Sequence, residues 1–154
     1  MNFSSNFQDD LKSSDKGINN FCFLLESKGY SDIKTNNDGR YDIICLSPSY
    51  WKSLFFHKIP VVGKQTTFEV KEDKKYKITG NIVIEIESRG KPSGICSTIS
   101  DYWIQLLEGE YFGIETSLLK KIIKNKPIVK GGDNNTSKLY LIRFDEIKHF
   151  FCKW

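Results

Sequence analysis

Histidine is scarce in this chain of 154 residues, with His57 and His149 the only two. The four cysteines, Cys22, Cys45, Cys96 and Cys152, lie far apart and form no C-x-x-C pair. That spacing offers no zinc-ligand pattern and reads as four reduced thiols. Two isolated histidines also leave a serine or cysteine nucleophile without a recognisable base. Long apolar runs are missing too: no window approaches the ~18 consecutive apolar residues of a membrane helix. The first residues, MNFSSNFQDDLKSSDK, carry acids and no apolar stretch of signal-peptide length. The expectation is a soluble, intracellular (cytoplasmic) chain with no membrane partner. Any chemistry must run on carboxylates, lysines or a hard metal ion.

What is present suffices for a core. The composition is 39% hydrophobic and 14% aromatic, in a length that fits one domain. The net charge of +4 hides an uneven distribution. Residues 101–119 hold four acids and no base, whereas residues 120–154 hold nine bases and three acids. A basic C-terminal quarter suits a polyanion-binding face, and equally a solvated surface in a lysine-rich chain.

Ser14 or Asp15 can cap a first helix over 14–29, with Ile18, Phe21, Cys22 and Leu25 on one face and Gly29 as its stop. Tyr41–Leu46 reads as an apolar strand. The stretch SPSYWKSLFFH suits a short helix with Trp51, Leu54 and Phe55 inward. Thr66–Lys71 and Asn81–Ile86 read as strands, and Ser97–Asp101 as one helical turn. Tyr102–Leu107 and Tyr111–Glu115 form a hairpin around Glu108-Gly109. Thr116 can cap a helix SLLKKIIKN, and LYLIRF supplies a last strand before a short terminal helix. Residues 1–13 and 130–137 read as a flexible segment and a flexible loop. This order predicts a single α/β domain, a central mixed sheet flanked by helices.

On a strand the side-chain period is two, so Glu69 and Lys71 share one face of FEVK while Phe68 and Val70 take the other. Either that face is wet, or it holds a carboxylate and an ammonium side by side. If Asp42, in YDIIC, points the same way from a neighbouring strand, two carboxylates and the Val70 carbonyl make a hard-ligand site suited to Mg²⁺. Lys71 would then orient or deprotonate a water, or stabilise charge on a phosphoryl oxygen. Glu85 and Glu87 share a face of the following strand, from which Glu85 could assist.

The stretch from Asp42 through Glu69 and Lys71, Thr79-Gly80-Asn81, Glu85, Lys91–Ile95, Thr98 and Asp101-Tyr102-Trp103 resembles the nuclease core of the PD-(D/E)XK superfamily. It is similar to the phage-encoded and restriction-endonuclease-like members, Holliday-junction-resolvase-like proteins among them. The resemblance covers roughly residues 14–144 and is specific over 41–104. It implies a single nuclease-like domain over 1–154 with a restriction-endonuclease-like core. The implied activity is a Mg²⁺-dependent DNA endonuclease, with Mn²⁺ able to substitute, that leaves a 5′-phosphate. Asp42, Glu69 and Lys71 would be catalytic, Asp42, Glu69 and Val70 would hold the metal, and Lys91, Ser93 and Thr98 would contact DNA. Paired incision of a symmetric junction would require a homodimer.

The chain departs from the pattern in three places. Tyr41 stands where the name implies Pro. Helix one has Asn19-Asn20 where many members carry a metal-reaching Glu, with Asp15 a turn earlier and Glu26 two turns later, so either the role is vacant or Asp15 fills it. The gap between Asp42 and Glu69 leaves room for an inserted helix around Trp51. The alternative is a nucleic-acid-binding module on the same fold without turnover. A third reading is an interaction protein whose E-x-K strand is a wet face.

Overall fold

A computed structural model describes the backbone of residues 3–54, 57–61 and 63–154, and the side chains of 15–49, 63–132 and 134–154. The chain opens with α1 (Phe3–Ser27), which starts eleven residues ahead of the expected Ser14 cap. There follow β1 (Ser31–Thr35), β2 (Ile43–Leu46), β3 (Tyr50–Leu54), β4 (His57–Val61) and β5 (Gln65–Glu72). Next come α2 (Tyr76–Thr79), β6 (Asn81–Ser88), β7 (Lys91–Pro92) and a 3₁₀ turn at Gly94–Cys96. The hairpin β8 (Tyr102–Leu107) and β9 (Glu110–Glu115) leads into α3 (Thr116–Ile123). The chain ends with β10 (Ile128–Gly131), β11 (Ser137–Arg143), α4 (Phe144–Ile147) and β12 (Cys152–Lys153).

The six-stranded sheet has the order β1-β2-β5-β8-β9-β12. Only β5 and β8 run parallel, with Glu69 opposite Trp103 and Lys71 opposite Gln105. A second sheet, β10-β11-β6-β7, is antiparallel throughout. The architecture is a single α/β domain built on a mixed six-stranded sheet flanked by helices. Among the described residues, no helix is long and apolar enough to cross a membrane.

Strand alternation divides the core in two. Ile43, Cys45, Phe68, Val70, Ile104 and Leu106 face Phe21 and Leu25 of α1. Trp103, Leu107 and Ile114 point the other way and pack with Ile82 and Ile84 of the second sheet, Leu119 of α3 and Phe144 of α4. Glu69 and Lys71, two residues apart, lie on this second face, between the two sheets.

Several elements differ from the sequence-based expectation. The stretch around Trp51 is the hairpin β3–β4 and not a helix; its run of aromatic residues favours strand. The inward positions expected of Trp51, Leu54 and Phe55 fall outside the described residues and side chains. The helical turn expected at Ser97–Asp101 sits earlier, at Gly94–Cys96. Strand β10 takes up the start of the expected 130–137 loop. Thr116 makes no helix cap, because its hydroxyl lies 3.1 Å from the Ser100 hydroxyl instead. β6 belongs to the second sheet and is not a neighbour of β5.

Trp154 packs its indole edge against Phe21 and Phe68, with ring centroids 5.5 Å away in each case. Its Nε1 lies where a side chain at Gly113 would begin, 2.2 Å from an ideal Cβ. Gly113→Ala should therefore destabilise the fold by about 2 kcal/mol through overpacking. Trp154→Ala should cost about 3 kcal/mol. Urea denaturation of both and of the double variant checks the coupling: the Gly113→Ala penalty should shrink by at least half once the indole is gone, roughly the size expected of groups in contact.

Candidate active site

Asp42 sits immediately before β2. Its N–H donates to the Phe68 carbonyl at 2.9 Å, and its Oδ2 accepts the Val70 N–H at 2.7 Å. Asp42 lies close enough to Glu69 and Lys71 for its charge to act on both. In a strand one residue's N–H and C=O point to the same edge. The Val70 carbonyl therefore points to the β2 edge that Asp42 occupies. Asp42, Glu69 and the Val70 carbonyl meet at one margin of the sheet.

Glu69 is buried, at 5% exposure. Its Oε1 lies 2.6 Å from the Lys71 ammonium, and its Oε2 accepts from the Thr98 hydroxyl at 3.1 Å. Burial pushes the Glu69 carboxyl up; the Lys71 charge pulls it down, Asp42 pushes it further up, and the net direction is upward. For Lys71, burial works against the ammonium, but the carboxylates of Glu69, Asp42 and Glu85 outweigh it and hold the pKa above its ordinary value. With these carboxylates beside it, Lys71 is held as an ammonium, which suits it to orient a water or to counter negative charge.

Lys71 opens into a cleft of about 600 Å³ between the end of β5 and the second sheet. Lys75, Asp73, Glu85, Ser93 and Trp103 line it. Glu85 reaches this cleft from β6, at a register shift opposite Leu139 that breaks the regular alternation. Ser93 donates its hydroxyl proton to Glu85 Oε1 at 2.5 Å. Gly94 allows the close approach: it has φ +52°, and a Cβ there would lie 2.3 Å from the Glu85 carbonyl oxygen.

The expected DNA contacts separate. Lys91 is exposed on β7. Ser93 is half-buried and committed to Glu85. Thr98 is corrected outright: at 3% exposure its side chain cannot reach a phosphate, and it touches Glu69. The helix-one candidate Asp15 is exposed on α1, which covers the opposite face of the sheet. Of the C-terminal lysines, Lys126 pairs with Glu146 at 2.8 Å, while Lys121, Lys124 and Lys130 are exposed. That Thr98 meets Glu69, with Ser100 and Thr116 behind it, was not readable in the sequence, because these contacts join distant parts of the chain.

The donor set is all oxygen, two carboxylates and a carbonyl, which fits a hard divalent cation that keeps several waters. Among the described residues, no three His, Cys, Asp or Glu side chains form a ready-made metal cluster. Both Glu69 oxygens are already engaged, so a cation would displace Lys71 from Oε1 or share that oxygen with it. Compared with family models, curated proteins and solved structures, the chain matches none.

The raised Glu69 carboxyl has a thermodynamic consequence. The folded chain keeps a proton there to higher pH than the unfolded chain does, so the stability from this site falls as pH rises through the raised value. Glu69→Gln fixes the neutral form. It should raise Tm at mildly alkaline pH by about 2–4 °C, and the gain should vanish as pH falls to the ordinary carboxyl range of about 4. Thermal melts of both proteins across pH check this sign.

Proposed function

We propose that the chain is a Mg²⁺-dependent DNA endonuclease that hydrolyses phosphodiester bonds, with branched, four-way-junction DNA as its substrate class. The observation that carries this reading is the convergence of Asp42, Glu69 and the Val70 carbonyl at one sheet margin, with Lys71 2.6 Å from Glu69. The resemblance of residues 41–104 to PD-(D/E)XK nucleases points the same way.

Asp42, Glu69 and the Val70 carbonyl would hold the cation. When bound, such an ion supplies Lewis acidity, offsetting the negative charge that develops on phosphoryl oxygens. Lys71 orients the attacking water and faces the same developing charge with a fixed ammonium. Lys75 on the cleft wall and the exposed Lys91 supply positive charge for the flanking phosphates. Mn²⁺ would substitute for Mg²⁺, and a two-fold dimer would be needed to cut a symmetric junction on both strands.

One observation favours a silent binding module on the same fold: Lys71 and Thr98 already occupy the Glu69 carboxylate. A cleavage panel of linear duplex, single-stranded and four-way-junction DNA with Mg²⁺ or Mn²⁺ separates the two. The wild type should cut, and junction DNA should be cut best. Lys71→Ala should lose about 10²–10³-fold in rate and Glu69→Ala at least as much, with filter binding of DNA retained in both. Binding without cleavage in either metal identifies the silent module. Neither binding nor cleavage at low salt overturns both readings.

A further inference from the structure

Beneath Glu69 runs a string of three buried hydroxyls that strand packing alone does not require. Thr98 Oγ1 lies 3.1 Å from Glu69 Oε2 and 3.1 Å from Ser100 Oγ, which in turn lies 3.1 Å from Thr116 Oγ1. Glu69, Thr98, Ser100 and Thr116 are all at most 5% exposed. The string joins the sheet margin to the first turn of α3.

Each hydroxyl has one proton to give and two lone pairs to fill. Thr98 Oγ1 is also 2.9 Å from the Arg40 carbonyl, so its one proton faces three acceptors, that carbonyl, Glu69 Oε2 and Ser100 Oγ. The Arg40 carbonyl, which also accepts the Ile99 N–H at 2.9 Å, keeps a second lone pair, so the Thr98 hydroxyl is anchored between that carbonyl and Glu69. The Ser100 N–H donates to Thr98 Oγ1 at 3.2 Å. Ser100 Oγ lies within reach of the Thr98 proton and pairs in turn with the Thr116 hydroxyl, where either oxygen can donate. The linked hydroxyls, with the Ser100 N–H, hold the Thr98 oxygen in place beside the carboxylate.

On the reading of this site as a cation-dependent nuclease, we infer that Thr98 is a positioning residue: backed by Ser100 and Thr116, it fixes the Glu69 carboxylate for a divalent cation and turns Oε1 toward Lys71 and the cleft. A carboxylate pinned at one oxygen loses less rotamer freedom when the other takes a ligand. Partners of this outer kind commonly matter to metal affinity nearly as much as the ligands themselves.

Calorimetric titration of the full chain with Mn²⁺, without DNA, tests the inference apart from activity. Thr98→Val, which keeps the shape and removes the oxygen, should weaken Mn²⁺ binding by about tenfold. Thr98→Ser, which restores the oxygen, should bind as the wild type does. Ser100→Ala leaves the Thr98–Glu69 contact and removes its support, so a smaller loss, about threefold, is expected by the same reasoning. Wild-type affinity in Thr98→Val, or equal losses in Thr98→Val and Thr98→Ser, overturns the positioning role. Should Thr98→Val fail to fold in thermal melts, Ser100→Ala decides, and unchanged binding there overturns the string. A wild type that takes up no Mn²⁺ is a different outcome, for it overturns the cation-dependent reading of the site and this inference with it.

Discussion

Two parallel strands side by side cannot be joined by a tight turn, and the pairing of β5 with β8 is the constraint on which the site depends. The chain must leave the end of β5 and return to the start of β8 across one face of the sheet. In doing so it builds α2, the β6–β7 ribbon and the Gly94–Cys96 turn. That return path puts Glu85 on the wall of the cleft into which Lys71 opens, and Thr98 beneath Glu69. Asp101 closes the path, its Oδ2 accepting both the Thr67 N–H at 2.8 Å and the Thr67 hydroxyl at 3.0 Å. The Asp101-Tyr102-Trp103 segment therefore has a structural role throughout: a clamp at Asp101, a ring stacked on Phe68 at Tyr102 and a buried core ring at Trp103.

The charges at this margin are hard to account for as stabilising elements. A buried ion pair tends to be neutral or unfavourable against well-packed apolar residues of similar size. Glu69 is almost fully enclosed, and the net push on its carboxyl is away from the charged form even with Lys71 against it. Phe68 and Val70 show that the same strand is well supplied with apolar side chains on its other face. Perturbed, enclosed groups gathered in a cleft are where function tends to concentrate. The hydroxyl string adds to this, since buried polar groups of no structural use are replaced by apolar ones at little cost.

How much of this was legible in the sequence depends on how local each signal is. The period of two put Glu69 and Lys71 on one face, where they pair; Asp42 lies in a bend just before its strand, and its charge acts on both. Glu108 and Gly109, both at positive φ, make the tight turn that a Glu-Gly pair between two strands suggests. Other elements gave no usable pattern. β1 carries four exposed positions and one half-buried, with a register break and Asp32 at positive φ, so no apolar alternation marks it. Sheet membership was not readable either. Asn81–Ile86 has the composition of a strand beside β5, yet it pairs with β11, and that choice is made by residues more than fifty positions away. Thr98 could not be distinguished from a surface hydroxyl, because what buries it is β5 and α3 together.

Charge balance connects these parts. Three carboxylates, those of Asp42, Glu69 and Glu85, act on the single ammonium of Lys71. Counted as ionised, they leave two negative charges in excess at the cleft wall, and like charges this close repel. The protein itself relieves part of this with a Val70 N–H on Asp42, a Ser93 hydroxyl on Glu85 and a Thr98 hydroxyl on Glu69. Each is a neutral donor, so it stabilises the charge without cancelling it. One divalent cation would cancel the excess in full, and a monovalent ion would not. The same excess opposes the approach of a phosphate to the margin until that cation is in place. Substrate binding at the reacting position and metal binding would then be linked, with the exposed lysines around the cleft holding the flanking backbone in the meantime.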